Sequence, residues 1–286
     1  MVKVGEKSYY MNPHLVRSLD AIKKVVQKRD QDAVYVVDGP EGSGKSTFAM
    51  QIGCYLDPTL ELSRVCMEPD EFRSAIIKAK PHQCVIYDEA YTGLSSRASL
   101  SSMNKILVSM MMEMRQKNLF VIIVLPTIFL LDRYVALFRS RGLFHIYTTK
   151  TQHRWLGFNR TNKKLLYLKG KKEMNYGYPH IYSFKGRFYG KYVVDEEAYR
   201  LKKRKTLEKT EENADIESKY KVQRDILIDY IAETQKLSLR KLSVALKEAG
   251  FDKKLSLSPQ HLGIIRKKAQ KFRKIPPVSS NNILFK

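Results

Sequence analysis

A complete phosphate-loop motif, G-x-x-x-x-G-K-S, occupies residues 39–46 and constrains this chain more than any other feature. A β-branched and aromatic run, 33–38, precedes the motif, and a segment with helical character, 47–53, follows it. Strand, glycine loop and helix in this order form the context that such a loop requires. Glycines let backbone N–H groups point inward around a polyphosphate, and the helix behind the loop adds its positive dipole end. We therefore expect this segment to bind a nucleoside triphosphate.

The motif predicts a role for each of its positions. Lys45 is expected to contact the β- and γ-phosphates, and the hydroxyl of Ser46 is expected to bind Mg²⁺. The residues predicted to contact nucleotide are Gly39, Pro40, Glu41, Gly42, Ser43, Gly44, Lys45, Ser46 and Thr47. The cofactors expected from this motif are ATP and Mg²⁺.

The second half of such a site is a carboxylate at the end of a neighbouring strand. An apolar run, 84–87, reads as this strand and ends in Asp88 and Glu89. We expect Asp88 to hold Mg²⁺, usually through water, and Glu89 to act as the general base that polarises an attacking water. A kinase has to exclude that water, whereas a hydrolase has to activate it. The acidic pair therefore favours ATP hydrolysis over phosphoryl transfer to a metabolite.

Further apolar runs predict the rest of an α/β fold. Segments 119–125, 142–149 and the shorter 64–67 read as strands, and 13–29 reads as an amphipathic helix that packs on them. Near-continuous apolar strands alternating with helices predict a parallel sheet covered by helices on both faces. Thr127 follows one of these strands, where it could sense the γ-phosphate or simply cap the strand end.

Residues 30–150 resemble the FtsK/HerA superfamily of P-loop ATPases, which form hexameric rings and move DNA. The features that carry this resemblance are the phosphate loop, the acidic pair, a methionine-rich helix over 103–114 and the polar run 115–118 before an apolar strand. The resemblance implies a P-loop NTPase fold of the RecA-like (ASCE) type. It extends to viral genome-packaging ATPases and to the ATPase domain of Zot-like phage morphogenesis proteins.

The resemblance also implies an arginine that reaches into the neighbouring subunit's site. Arg115 matches one position of this residue in the family, and Arg139 and Arg141 are competing candidates. Two features depart from the family pattern: Thr127 stands where many members carry Gln, and the membrane helix of Zot-like proteins has no counterpart here. The second departure favours DNA movement over a role in secretion.

The distribution of charge along the chain indicates what kind of partner it binds. The chain carries 52 Lys and Arg against 29 Asp and Glu, a formal net charge of +23. Residues 1–150 hold 20 basic and 15 acidic residues, whereas 151–286 hold 32 and 14. A polyanion explains this asymmetry, and nucleic acid, with duplex DNA favoured, is preferred over phospholipid because no amphipathic membrane helix or lipidation signal is evident.

No membrane insertion is expected either. The apolar run 119–131 is too short to span a bilayer, and the N-terminus has no apolar signal core. We expect a cytoplasmic protein, in the host cytoplasm if the source is viral. Cys54, Cys66 and Cys84 have no metal-ligand spacing and are expected to be reduced core residues.

Composition shifts predict five segments. Residues 1–150 form the ATPase domain, 151–198 a basic and aromatic β appendage, 199–222 a charged linker or helix, 223–275 a helix-turn-helix-like basic domain and 276–286 a flexible tail. The helical domain could instead dock a subunit or another protein. The residues predicted to contact DNA are Lys202, Lys203, Arg204, Lys205, Arg266, Lys267, Lys268 and Lys271.

Together these features predict an oligomeric, ring-forming ATPase that moves DNA, of viral or mobile-element type, with genome packaging through a portal partner as one such job. A helicase loader or replication-associated ATPase with a protein partner is one alternative. An ATP-gated DNA-binding regulator with slow turnover is another.

Overall fold

The residues that the computed structural model describes are 1–88, 104–105, 107–111, 114–176, 181–248 and 258–273, with the backbone alone at 210–219, 221, 245–248, 261, 268 and 270–273. The chain divides into two compact units, 1–208 and 209–286. Glu89, the predicted general base, lies outside the described residues. Within the described part of the chain, no helix has an apolar stretch long enough to cross a membrane.

A seven-stranded sheet forms the centre of the first unit. Its strands are β3 (Ala33–Asp38), β4 (Val65–Cys66), β5 (Cys84–Tyr87), β6 (Phe120–Leu125), β7 (Ser140–Thr148), β8 (His153–Phe158) and β9 (Phe184–Phe188). Their order in the sheet is β4-β5-β6-β3-β7-β8-β9, and the first five are parallel to one another. A separate antiparallel hairpin consists of β1 (Val2–Val4) and β2 (Lys7–Tyr9). The predicted mostly parallel sheet is confirmed.

Helices cover both faces of this sheet. They are α1 (Pro13–Lys28), α2 (Lys45–Leu56), α3 (Pro69–Lys78) and α4 (Arg160–Gly170). Every residue of β3 is buried: Tyr35 and Val37 join the core that contains α1 and α2, and Val34 and Val36 join the core that contains α3 and α4. Burial of both faces explains why these strands are apolar without alternation.

The first helix forms where the sequence predicts it. Asn12 caps α1 by accepting a hydrogen bond from the His14 N–H, and Pro13 occupies the first turn, where its missing N–H costs nothing. Leu19 and Val26, on the apolar stripe, are fully buried against α2 and the sheet. The helix thus holds α2, and with it the phosphate loop, against β3.

Residues 151–198 differ from the expected β appendage. Strand β8 pairs antiparallel with β7, and β9 pairs with β8, so both strands extend the main sheet. Residues 160–170 belong to the segment expected as a β appendage but form α4, since Asn159 caps the helix and Leu166 is buried on the sheet. The edge of the nine-residue strand β7 supplies backbone partners for β8, and Trp155 is buried among aromatic rings that include Phe48 and Phe184.

The segment expected as a charged linker or helix, 199–222, lies within one long helix, α5 (Glu196–Thr234). Its first turns belong to the first unit: Tyr199 is buried, and the Lys202 ammonium donates to the Val65 carbonyl at 2.8 Å and pairs with Glu71 at 3.1 Å. These contacts fix the start of α5 beside β4 and β5.

The second unit contains the later part of α5 together with α6 (Leu239–Glu248) and α7 (Pro259–Arg273). Its core is formed by Ile228, Ala232, Leu242, Leu262 and Ile265. These helices lie in the segment 223–275, for which a helix-turn-helix-like domain was predicted, and that arrangement stays a prediction. Asp229 is fully buried in this unit and pairs with Arg266 at 2.9 Å.

A buried polar network joins the end of α2 to the start of β5. One oxygen of Asp57 accepts from the Cys84 N–H at 2.8 Å, the other accepts from the Thr59 N–H at 2.9 Å, and Arg64 pairs with the same carboxylate. Burial opposes ionisation of Asp57, but the Cys84 N–H, Thr59 and Arg64 outweigh it and lower its pKa. Because Asp88 follows β5 directly, this network helps to position that residue.

Replacing Asp57 with Ala is expected to lower the free energy of unfolding by about 3–5 kcal/mol, because Arg64 would remain buried without its carboxylate. Denaturant unfolding of the two proteins measures the difference. Glu61→Ala, which removes the same charge from an exposed position, is the matched control and should change stability by less than about 0.5 kcal/mol. Equal stabilities for the two variants would contradict this account of the network.

Candidate functional site

The two halves of the predicted site meet at the carboxyl edge of the sheet. The loop 39–44 leaves the end of β3, and Asp88 leaves the end of β5, with β6 lying between these two strands. The Ser46 hydroxyl donates a hydrogen bond to Oδ1 of Asp88 at 3.0 Å, and Asp88 is fully buried. Two groups 42 positions apart in the chain, both predicted to bind the metal, are therefore in direct contact.

Two glycines of the loop are required by its surroundings. A Cβ atom at Gly39, where φ is +143°, would lie 2.1 Å from the carbonyl oxygen of Ile146 on β7. A Cβ atom at Gly44, where φ is +90°, would lie 3.1 Å from the ring of Phe188 on β9. The loop is also held by the Gly39 N–H, which donates to the Pro126 carbonyl at 3.2 Å. The extended sheet therefore packs directly on the phosphate loop.

Lys45 points into the loop that precedes it. Its ammonium donates to the carbonyls of Gly39 at 2.8 Å and Pro40 at 2.7 Å. Burial lowers the pKa of Lys45, Asp88 opposes this effect, and the positive charge of Lys203 adds to it. The negative charge of a bound phosphate would offset both the burial of the Lys45 ammonium and its repulsion by Lys203.

A cavity of about 740 Å³ opens over these groups. Lys45 and Ser46 line one side together with Asp88, and residues 124–126 at the end of β6 line another. Helix α5 contributes Tyr199 and Lys203. The volume lies within the range of small-molecule sites, about 300–1,000 Å³.

The second oxygen of Asp88 is held by a residue that no sequence motif indicated. Tyr199 donates its hydroxyl proton to Oδ2 of Asp88 at 2.5 Å. Burial raises the pKa of Tyr199, and the negative charge of Asp88 raises it further, so the phenol stays protonated and remains a donor. The only sequence signal was one aromatic residue in the first turn of an otherwise charged helix. The contact spans 111 positions of the chain, which local patterns do not reveal.

A second carboxylate, Asp38, lies fully buried at the end of β3. Its Oδ1 contacts Nδ1 of His145 at 2.9 Å, and its Oδ2 accepts from the Tyr176 hydroxyl at 2.5 Å and from the Ile128 N–H at 2.7 Å. The hydroxyls of Thr127 and Tyr176 are 2.5 Å apart. Thr127 therefore takes part in a polar network beneath the loop, and it does not line the cavity.

None of the three arginines predicted to act in a neighbouring site lines this chain's cavity. Arg139 pairs with Asp32 and donates to the Met111 carbonyl at 2.9 Å, and Arg141 donates to the Asp32 carbonyl at 3.1 Å. Asp32 precedes β3, so both arginines lie at the opposite end of that strand from the phosphate loop. Arg115 is exposed in a short 3-10 turn, Met114–Lys117.

The basic run predicted to bind DNA is divided between two environments. Lys202 is engaged by Val65 and Glu71, and Lys203 lines the cavity, whereas Arg204 and Lys205 are exposed. In the second unit Arg266 is paired with buried Asp229, and Lys267 is exposed. The side chains of Lys268 and Lys271 lie outside the described residues.

The residues at the cavity fit a magnesium–nucleotide complex. A serine hydroxyl and a carboxylate are hard oxygen ligands of the kind that Mg²⁺ prefers, and such sites commonly draw their remaining ligands from phosphate and water. Ser46 and Asp88 supply these oxygens within hydrogen-bonding distance of each other. Lys45 supplies a cation beside them.

No protein-family model matches this chain, and no curated protein matches it. Among solved structures, the N-terminal domain of zonular occludens toxin from Neisseria meningitidis is similar, with 15% sequence identity and a TM-score of 0.31. The similar region covers 59% of this chain and 98% of that domain. This likeness is too distant to support an argument about function.

Gly39→Ala is expected to lower the free energy of unfolding by roughly 3 kcal/mol, since the added methyl group would overlap the Ile146 carbonyl and the residue would keep a positive φ. Thermal unfolding followed by circular dichroism tests this expectation. Gly190→Ala is the control, because no atom lies within 4 Å of its added Cβ. If the two variants unfold at the same temperature, the close packing of β7 on the loop is not as described.

Proposed function

We propose that this chain is a P-loop ATPase that binds ATP with Mg²⁺ and hydrolyses it. The observation that carries the proposal is the hydrogen bond between Ser46 and Asp88, which joins the glycine loop to the acidic strand end at one cavity. Neither half would specify this chemistry by itself. Their meeting at the carboxyl edge of a largely parallel sheet, where α/β proteins bind ligands, supports it.

The roles follow from the contacts. Lys45 leaves the carbonyls of Gly39 and Pro40 and binds the β- and γ-phosphates. The negative charge of the phosphates stabilises its buried ammonium. Ser46 and Asp88 hold the metal, and Mg²⁺ when bound neutralises charge on the phosphate oxygens. Glu89 follows Asp88 in the chain and is proposed as the general base that orients the attacking water.

We further propose that hydrolysis drives movement of DNA by a ring of identical subunits. The net charge of +18 in residues 151–286, against +5 in 1–150, supports a polyanionic partner for the C-terminal half. Exposed Arg204, Lys205 and Lys267 are the described predicted contacts that remain suited to phosphate binding. Lys202 and Arg266, which were also predicted to bind DNA, are paired with Glu71 and Asp229.

Among the candidate trans arginines, the contacts support Arg115. Arg139 and Arg141 are held at the start of β3 by Asp32, whereas Arg115 is exposed on a short turn before β6. Moving either of the first two into a neighbouring site would require breaking those contacts. Arg115 has no such contact with Asp32 to break among the described residues.

Steady-state ATP hydrolysis with no nucleic acid, with duplex DNA and with single-stranded DNA tests the function. A DNA-moving ATPase should be stimulated by duplex, and the stimulation should fade as salt rises because phosphate contacts release counterions. Lys45→Ala should abolish nucleotide binding, and Glu89→Gln should bind ATP but not turn over. A rate of ATP hydrolysis that neither nucleic acid changes would contradict the proposed movement of DNA. Preferential stimulation by single strands would instead favour the replication-associated alternative.

Arg115→Ala is expected to lower the turnover number by about 10³-fold or more while ATP affinity stays unchanged, as a charge-stabilising arginine supplied in trans contributes on this scale. Arg133→Ala removes the same charge from another exposed position and serves as the control. Normal hydrolysis by Arg115→Ala would show that this residue does not act in a neighbouring site.

A further inference from the structure

The first turns of α5 face the same cavity as the phosphate loop. Tyr199, Lys203 and Leu207 line this cavity, and their spacing of four residues places them on one stripe of the helix. Arg200 lines the cavity as well and pairs with Glu196 of the same helix. Their neighbours Lys202 and Arg204 lie off this stripe, the first bound to Val65 and the second exposed. The helix therefore presents one defined set of side chains to the site.

Lys203 places a second cation opposite Lys45. The two ammonium groups interact unfavourably, because the charge of Lys203 is one of the factors that lower the pKa of Lys45. Two lysines that face one cavity gain from an anion between them, and each charge-assisted hydrogen bond to that anion is shorter and stronger than a neutral one. The half-buried position of Lys203 on an ordered helix suits this use better than contact with DNA in solvent.

Tyr199 acts on the other component of the site. Its hydroxyl holds Oδ2 of Asp88 while Ser46 holds Oδ1, so both oxygens of the carboxylate have fixed directions. Partners of this kind orient metal-binding carboxylates, and their loss commonly lowers metal affinity by about 10- to 100-fold. Tyr192 lines the same cavity and has no hydrogen bond to Asp88 among the described contacts.

We propose that α5 completes the nucleotide site within one chain: Lys203 binds oxygens of the phosphates that Lys45 reaches, and Tyr199 is the positioning residue for Asp88. This inference rests on the proposed binding of Mg²⁺ and ATP. It reassigns one lysine of the basic run from DNA to nucleotide. It also makes the helix that continues to Thr234 a direct participant in nucleotide binding.

Equilibrium binding of a fluorescent ATP analogue to the full chain, with Mg²⁺ and without hydrolysis, tests the role of Lys203. Lys203→Ala should weaken binding by about 10- to 100-fold, the loss expected for a charge-assisted hydrogen bond, and Lys203→Arg should restore much of it. Lys209→Ala is the matched control, with the same charge change on an exposed position of the same helix, and should stay within about twofold of the unchanged protein.

The outcomes separate this inference from the proposed function. If the unchanged chain fails to bind the analogue, or if Lys45→Ala binds as well as it does, the proposed function itself fails. If the unchanged chain binds, Lys45→Ala does not, and Lys203→Ala matches Lys209→Ala, only the assignment of Lys203 is overturned. Thermal unfolding midpoints of the variants identify any loss of binding that comes from misfolding. If Lys203→Ala misfolds, binding by Lys203→Arg decides whether a cation at this position is needed.

A titration with Mg²⁺ at fixed analogue concentration tests Tyr199. Tyr199→Phe keeps the buried ring and removes only the hydroxyl, so the Mg²⁺ concentration at half-maximal binding should rise about tenfold. Binding in the presence of EDTA should not change, which a merely structural defect would not predict. Tyr192→Phe is the control. A Mg²⁺ requirement equal to that of Tyr192→Phe, or lower than that of the unchanged chain, overturns the positioning role.

Discussion

The contact between Ser46 and Asp88 is the constraint on which the rest of this structure depends. It requires that α2 begin directly behind β3 and that β5 end at the same edge of the sheet. Several distant features serve this requirement, including the Asp57 network that ties α2 to β5 and the close approach of β7 to Gly39. The cores on the two faces of the sheet hold these elements in register beneath the site.

The C-terminal part of the first unit closes the site. Strands β8 and β9 extend the sheet behind the phosphate loop, where Phe188 meets Gly44. Helix α5 then contacts Asp88 through the hydroxyl of Tyr199. Residues expected to form a β appendage and a charged linker or helix are therefore part of the candidate nucleotide site. A chain cut at residue 150 would lose both contacts.

Sequence patterns predicted what local chemistry determines. The motif around Lys45, the apolar strands and the capped helix α1 depend on neighbours within a few residues, and the structure has them where they were expected. The roles of Tyr199, and of Tyr176 beneath the loop, could not be predicted in this way. Each contacts a carboxylate more than 100 positions away, and that distance is closed only when the sheet forms. Residues 160–170 likewise fell in the segment expected as a β appendage, although α4 forms there because Asn159 caps it and its apolar face is buried on the sheet.

Counting bound Mn²⁺, used as a paramagnetic substitute for Mg²⁺, tests the central claim most directly. Electron paramagnetic resonance reports how much Mn²⁺ each chain retains with and without a non-hydrolysable ATP analogue. Ser46 and Asp88 supply too few ligands to hold the metal tightly without phosphate. We therefore expect about one Mn²⁺ per chain with the analogue, almost none without it, and loss of the bound ion in Asp88→Ala. Failure to retain Mn²⁺ with the analogue, or equal retention by Asp88→Ala, would contradict the account.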